Sequence, residues 1–351
     1  MKISVILCTY NGASRLPATL EKLAAQDLPL DIHWELILVD NASTDDTPSV
    51  AKDAAVAFPV SLRLIHESLP GKHNALRTAF EKASGEYYCV VDDDNLLEPD
   101  YLRQGMMFLD QHSDVAIIGG RTFPQFPPGV AVPADFEERY ADHLACRDHG
   151  AHVIWGAAPP GAGQMGRVNL MRAIYEHIGT WLSDRIGEGV GCCEDLEKTH
   201  VCCRLGWQAV HVPQLRLHHV MSSRRLTQGY IESLHCAALN TGPWLRSVTG
   251  AENGTSWIHA AKYLVIDCML VGKYSLLSRL PRLHPKLERA EFWRRYYSSR
   301  LAGRIALLQK RKQAAAFLGR IDAAPTTLRP PNHLRAVPKR DQFQPLTQEF
   351  Q

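Results

Sequence analysis

Hydrophobic positions at the start of the chain follow two alternating periods. Residues 3–8, 34–39 and 87–91 are short, mainly β-branched, aliphatic or aromatic runs that read as strands, 3–8 and 87–91 as buried ones, and 60–66 reads as a further strand. Three segments of helical period separate them. Residues 14–25 place Leu16, Leu20 and Leu23 on one side, 47–58 carries Pro48 near its first turn, and 72–84 follows Gly71. The β-α-β-α-β-α-β order predicts a parallel sheet with helices on both faces. Ligands of such sheets bind beyond the carboxyl ends of the strands, where Thr9-Tyr10-Asn11, Asp40-Asn41 and Asp92-Asp93-Asp94 all fall.

From about Gly119 to Leu226 the pattern is less regular. Residues 123–129 read as a loop and 156–166 as a Gly- and Pro-rich loop. Residues 170–178 and 194–205 read as helices, and 209–217 as a strand. Beyond Leu226 the period is helical to about Leu318, with Arg and Lys among aromatics. Pro-rich polar sequence from Ala323 predicts a mobile tail. The expected division is 1–226, with halves 1–118 and 119–226, then 227–322 helical and 323–351 as tail.

Composition adjusts this picture little. The 351 residues are 45% hydrophobic and 22% charged, an ordinary soluble composition. A net charge of +2 supplies no overall field to recruit nucleic acid, although the C-terminal third is basic. Nine cysteines, including the adjacent pairs Cys192-Cys193 and Cys202-Cys203, argue for reduced thiols in the cytoplasm, and no C-x-x-C spacing suggests zinc. The apolar run at the N-terminus is too short for a signal peptide. The most apolar later stretch, 260–277, carries Lys262, Asp267 and Lys273, which argues against a membrane span.

The most informative feature is Asp92-Asp93-Asp94 at the mouth of an apolar strand. Three carboxylates there repel one another and lose hydration, costs that a hard divalent cation relieves. If the segment is extended, Asp92 and Asp94 project to one side as a clamp for Mg²⁺ or Mn²⁺, which can in turn hold a diphosphate. An acidic turn before the helix starting near Glu98-Pro99-Asp100 is the structural alternative.

Four motifs in order resemble the family 2 glycosyltransferases, which have the GT-A fold. They are Val5 to Asn11, Val39 to Thr47, Gly71 to Arg77 leading through Ala83 to Tyr87 into the acidic run, and Glu194-Asp195-Leu196-Glu197. The resemblance covers about Lys2 to Tyr230; Asn41 departs from the more usual Asp, and the cysteine pairs lie outside the pattern. It implies an α/β GT-A fold with a mostly parallel sheet, followed here by the helical C-terminal region. It also implies an inverting, metal-dependent transferase acting on a nucleoside-diphosphate sugar.

The resemblance assigns roles to particular residues. Asp40 would accept from an imide N–H of uracil or guanine, with Thr9, Tyr10 and Asn11 as base or ribose contacts. Lys72 would face the diphosphate at a helix N-terminus. Asp94 would hold Mn²⁺ or Mg²⁺; Asp92 would act through the ribose or a metal-bound water, and Asp93, pointing the other way, is counted with the substrate edge. Asp195 would be the general base beside Glu194. The spacing to Arg225-Leu226-Thr227 selects His219 over His218 to complete the metal site. Apart from the resemblance, Trp155 reads either as a stacking platform for an acceptor sugar or as a core aromatic next to a turn.

The donor would then be a UDP- or GDP-sugar, and the acceptor a glycan or a lipid-linked molecule. A nucleotidyltransferase or a catalytically silent nucleotide-sugar-binding protein are the alternatives. The basic and aromatic residues of 273–312 suggest peripheral contact with the inner face of the cell membrane.

Overall fold

The computed structural model describes residues 1–130, 132, 136, 141, 144–146, 148–182, 192–252, 256–278 and 290–331. Its first third follows the two periods. β1 (Ile3–Thr9), β2 (Trp34–Asn41), β3 (Ser61–Glu67) and β4 (Tyr87–Asp92) alternate with α1 (Leu16–Ala24), α2 (Thr47–Ala57) and α3 (Lys72–Lys82). All four strands run parallel, in the order β3-β2-β1-β4. Alternate residues of a strand serve opposite faces. Ile6, Cys8, Tyr88 and Val90 face one core, while Val5, Leu7, Cys89 and Val91 face the other. Leu16, Leu20 and Leu23 dock α1 on the second core, and truncating buried Leu23 to Ala costs about 2–5 kcal/mol by cavity formation.

The sheet continues through β8 (Met165–Arg167), β6 (Val115–Gln125), β9 (Gln208–Val220) and β5 (Asn95–Leu97), with β7 (Ile154–Trp155) paired to β9. β6 and β9 are parallel, whereas β8 and β5 run antiparallel to their neighbours. The sheet is thus mostly parallel and mixed, as expected. β6 absorbs residues 123–125, which read as loop. β9 bulges between His211 and Arg216, and Gly120 makes this possible: a Cβ there would stand 1.9 Å from the Leu215 carbonyl oxygen. Helices α4 (Tyr101–Gln111), α5 (Val168–His177) and α6 (Glu194–Arg204) cover the sheet.

The C-terminal region is helical: α7 (Gln228–Thr249), α8 (Trp257–Leu277), α9 (Ala290–Gln309) and α10 (Arg311–Asp322). It shares a core with the sheet. Trp244 and Val248 of α7, Leu307 of α9, and Phe317 and Ile321 of α10 join the cluster that contains Ile6, Tyr88 and Val201. Packing continues past Ala323, where a mobile tail was expected. Leu328 is buried, and its carbonyl accepts from Trp207 Nε1 at 2.8 Å, an anchor invisible to local composition. Residues 332–351 lie outside the described residues. Among the described residues, no helix is long and apolar enough to cross a membrane.

Among the described residues of 273–312, several arginines are paired internally. Arg300 and Arg304 bind Asp267, Arg304 also binds Glu252, and Arg295 bridges Glu232 and Glu291. Its aromatics cluster with one another, Tyr297 stacking on Tyr274 at 5.4 Å. Of the basic residues from which membrane contact was expected, Arg279, Arg282, Lys286 and Arg289 lie outside the described residues.

Candidate active site

β4 ends at Asp92, and Asp93-Asp94 forms a turn into β5. The chain is therefore not extended through the acidic run, and the alternation that would set Asp92 and Asp94 on one side does not apply. Instead each carboxylate has its own cation. Lys72, the first residue of α3, meets Asp92 Oδ1 at 2.5 Å. Arg15 holds Asp93 through Nε at 3.0 Å and Nη2 at 2.9 Å, and Thr9 donates to the same carboxylate at 2.6 Å. Arg225 Nη2 lies 2.9 Å from Asp94 Oδ2. Asp93 and Thr9 are both buried and bonded to each other, so these two expected substrate contacts brace the turn.

The β5–β9 pairing delivers the opposite wall. Asn95 stands across from His219, and the Val220 N–H donates to the Asp94 carbonyl at 2.8 Å. Neighbouring strand residues then diverge. His219 Nε2 lies 3.4 Å from Asp94 Oδ1, whereas His218 turns to Glu98 at 3.2 Å. Arg225 also reaches His219 Nε2, which places its guanidinium against both residues.

Burial pushes the Asp94 carboxyl up, but His219 and Arg225 together outweigh it and hold the group well below the usual carboxylate range. Burial also dominates at Asp93, whose carboxyl is raised despite Arg15, with Asp94 as a repelling neighbour.

Asp94 and His219 bring a carboxylate oxygen and an imidazole nitrogen close together, a donor pair that a divalent cation such as Mn²⁺ can accept. His219 Nδ1 is buried without a hydrogen-bond partner, and a guanidinium lies against both candidate ligands. The two residues thus fit a cation. Among the described residues, no group of three His, Cys, Asp or Glu converges. Such a cation would draw its remaining ligands from a diphosphate or water, and Arg225 would move aside.

The neighbouring strand ends form a second wall. Asp40 is buried, its carboxylate accepting from the Ser43 N–H at 3.2 Å and meeting His66 Nδ1 at 3.1 Å. His66 is 64% exposed at this mouth. Asn11 adopts a positive φ of 48°; its N–H donates to Ser43 Oγ, and its Oδ1 accepts from the Thr44 N–H at 2.8 Å. Tyr10 projects outward, 40% exposed. Asn41 explains its own departure from the motif. It donates to the Glu67 and Leu69 carbonyls and accepts from the Gly71 N–H at 2.8 Å, fastening the loop that leads to Lys72. An Asp there would lack both donated bonds.

Asp195 lies in the first turn of α6. Its Oδ2 accepts from the Gly161 N–H at 2.6 Å and its Oδ1 from the Leu196 N–H at 2.9 Å. The Gly161 loop runs back to β4, where the Val90 N–H donates to the Gln164 carbonyl at 2.8 Å. This loop links Asp195 to the strand that carries the acidic run. Glu194 is buried and accepts from Tyr175, so it faces the core; adjacent helix positions diverge by about 100°. Of the two readings of Trp155, its surroundings favour the packed aromatic. β7 pairs it with Val210 near the start of β9, far along that strand from His219, where it packs with Phe108 and His112.

Two functional side chains escaped the sequence reading. Arg15 meets Asp93 across 78 residues, and no local pattern marks it. Arg225 served only as a spacing marker for His219, although its charge beside a histidine pair was a usable signal.

Residues 4–159 match the profile described as Glycosyl transferase family 2. That segment, a little under half of the chain, is where the likeness to this family lies. The poly(ribitol-phosphate) β-N-acetylglucosaminyltransferase TarS of Staphylococcus aureus is 31% identical over 131 residues, 36% of this chain and 23% of TarS. The putative glycosyltransferase EpsE of Bacillus subtilis is 33% identical over 119 residues, 34% of this chain and 42% of EpsE. The match thus spans less than half of either relative. Among solved structures, the mannosyltransferase PcManGT of Pyrobaculum calidifontis, in complex with GDP-Man and Mn²⁺, has a TM-score of 0.47 at 20% identity, covering 88% of this chain and 87% of that one. TarS 1-349 in complex with UDP-GlcNAc has a TM-score of 0.46 at 15% identity, covering 89% and 92%.

Proposed function

We propose that this protein is an inverting glycosyltransferase that moves a sugar from a UDP- or GDP-sugar to a glycan or lipid-linked acceptor. The observation that carries the reading is the meeting of Asp94, His219 and Arg225 at the carboxyl edge of the sheet, beside Lys72 and Asp92. The likeness of residues 4–159 to the family 2 glycosyltransferases supports the reaction class.

In this reading Asp40 and His66 receive the base, and Asn11 and Tyr10 border it. Lys72 releases Asp92 to meet the diphosphate, and the positive end of the α3 dipole adds to its charge. Asp94 and His219 would hold a divalent cation, which when bound would supply positive charge to offset that of the leaving diphosphate. Arg225, displaced from Asp94, gains the same diphosphate as a partner. Asp195, oriented by Gly161, accepts the proton of the acceptor hydroxyl as that oxygen attacks the anomeric carbon opposite the nucleotide. One displacement inverts that carbon.

Calorimetry with UDP and GDP, with and without Mn²⁺, tests the binding half. Nucleotide affinity that rises with Mn²⁺ and loses this dependence in Asp94→Ala is expected; unchanged affinity in that variant removes Asp94 from the site. Product analysis tests the class. Nucleoside diphosphate released from a nucleotide sugar supports transfer, whereas pyrophosphate released from a nucleoside triphosphate identifies a nucleotidyltransferase.

A further inference from the structure

We propose that the outer face of α8 rests on an anionic lipid bilayer, with the helix lying parallel to the membrane plane. At about 100° per residue, Ile258, Val265, Met269 and Leu276 fall within about 20° of one line along this helix, and Asp267 falls on the opposite side. Exposure follows the same phase. The four apolar residues are 82, 51, 68 and 65% exposed, while Asp267 is 1% exposed and bound by Arg300 and Arg304. A helix docked by one face normally turns polar residues to water. Here the free side carries a line of large apolar groups some three turns or more in length, beyond the scattered exposure of an ordinary surface.

Charge selects the occupant. Exposed Lys262 and Lys273 border the line, and Asp267, turned inward, is the only carboxylate in α8. A second copy packed antiparallel about the middle of the helix would set Lys262 against Lys273 with no carboxylate to answer either. Anionic headgroups answer both, while the apolar line enters the acyl boundary. Tyr263 and Tyr274 carry the two ammonium groups at 5.7 and 5.2 Å from their ring centroids, amphipathic side chains suited to that boundary. The helix is not apolar enough to span, so it lies in the interface. This surface is distinct from the arginine-rich run beyond it, and the proposal does not depend on the transferase reading.

The test is co-sedimentation of the full chain with vesicles of phosphatidylcholine alone or with phosphatidylglycerol added. Binding is expected to the anionic vesicles only, and to weaken with salt. Reversing both lysines, Lys262→Glu with Lys273→Glu, should lower partition by at least about 25-fold, at about five-fold per lysine. Met269→Glu should lower it at every salt concentration. Both variants change exposed positions, so an unaltered Tm and circular dichroism spectrum confirm the fold. Donor binding in vesicle-free buffer is read separately, so its failure counts against the transferase reading alone. Wild-type protein that does not sediment, or Met269→Glu that sediments equally, overturns the proposal. A dimer that Met269→Glu dissolves in light scattering also overturns it, assigning the face to a second copy.

Discussion

The protein buries two clusters of carboxylates and arginines, and they differ in how completely they close. In the helical region Asp267 takes Arg300 and Arg304, and Glu252 takes Arg304 and Arg246. Each carboxylate there is shared between two guanidiniums, inside a helix bundle. At the sheet edge Asp92, Asp93 and Asp94 each face a different cation, on different elements, and His219 keeps a buried nitrogen without a hydrogen-bond partner. The first arrangement holds helices together. The second keeps like charges adjacent, a state that a cation and a diphosphate relieve. Buried charge alone therefore does not single out a candidate site; incomplete compensation at a strand end is the feature that distinguishes this one.

The largest expected effect falls on the closed cluster. Asp267→Asn leaves two guanidiniums short of a partner and should cost about 3–5 kcal/mol in denaturant unfolding, with nucleotide affinity of the folded protein unchanged. An unaltered midpoint would erase the distinction between the clusters.

Asp94→Asn should slow transfer by about 10²–10³-fold, the scale of a lost electrostatic stabiliser. It should cost less stability than Asp267→Asn, because it also removes the repulsion that helps raise the Asp93 carboxyl. A larger stability loss at Asp94 than at Asp267 would reverse the comparison.

Asp195→Asn should slow turnover by roughly 10²-fold or more, with donor affinity near normal in calorimetry. If donor affinity collapses and turnover of the bound complex persists, Asp195 belongs to the binding wall.

The smallest effect separates both clusters from simple burial. Desolvation lowers His200 and His211 from 6.5 to about 4 in the folded protein. Their contribution to stability is present above pH 6.5 and is lost as pH falls toward 4, because the unfolded chain binds those protons more readily. Asp94, also depressed, adds its loss only below about pH 4. Urea midpoints between pH 7 and pH 4 should therefore drop and the drop should shrink in His211→Gln; an identical pH dependence removes His211 from this account.

Much of the sheet was legible because its signal is local. Residues 3–8, 34–39 and 87–91 are too apolar for any surface, and their spacing leaves room for one crossover helix each. The carboxyl edge followed from strand direction, and with it the neighbourhood of Asn11, Asp40 and Asp92. Short strands such as β5, β7 and β8 carry too few residues to set a period, so the far half of the sheet was read poorly. Trp155 keeps two readings in the sequence for that reason: its place depends on pairing with β9.

Within the chain's own sequence, the alternating periods determined the order of elements, the parallel sheet and the edge at which chemistry gathers, because burial of apolar side chains is a property of nearest neighbours along the chain. Tertiary structure alone decided which cation each carboxylate of the acidic run receives, and where Glu194 and Trp155 sit. A hydrophobic period repeats within one element and can be read there. A charge pair is a single contact between elements that folding brings together, and nothing in the intervening residues records it.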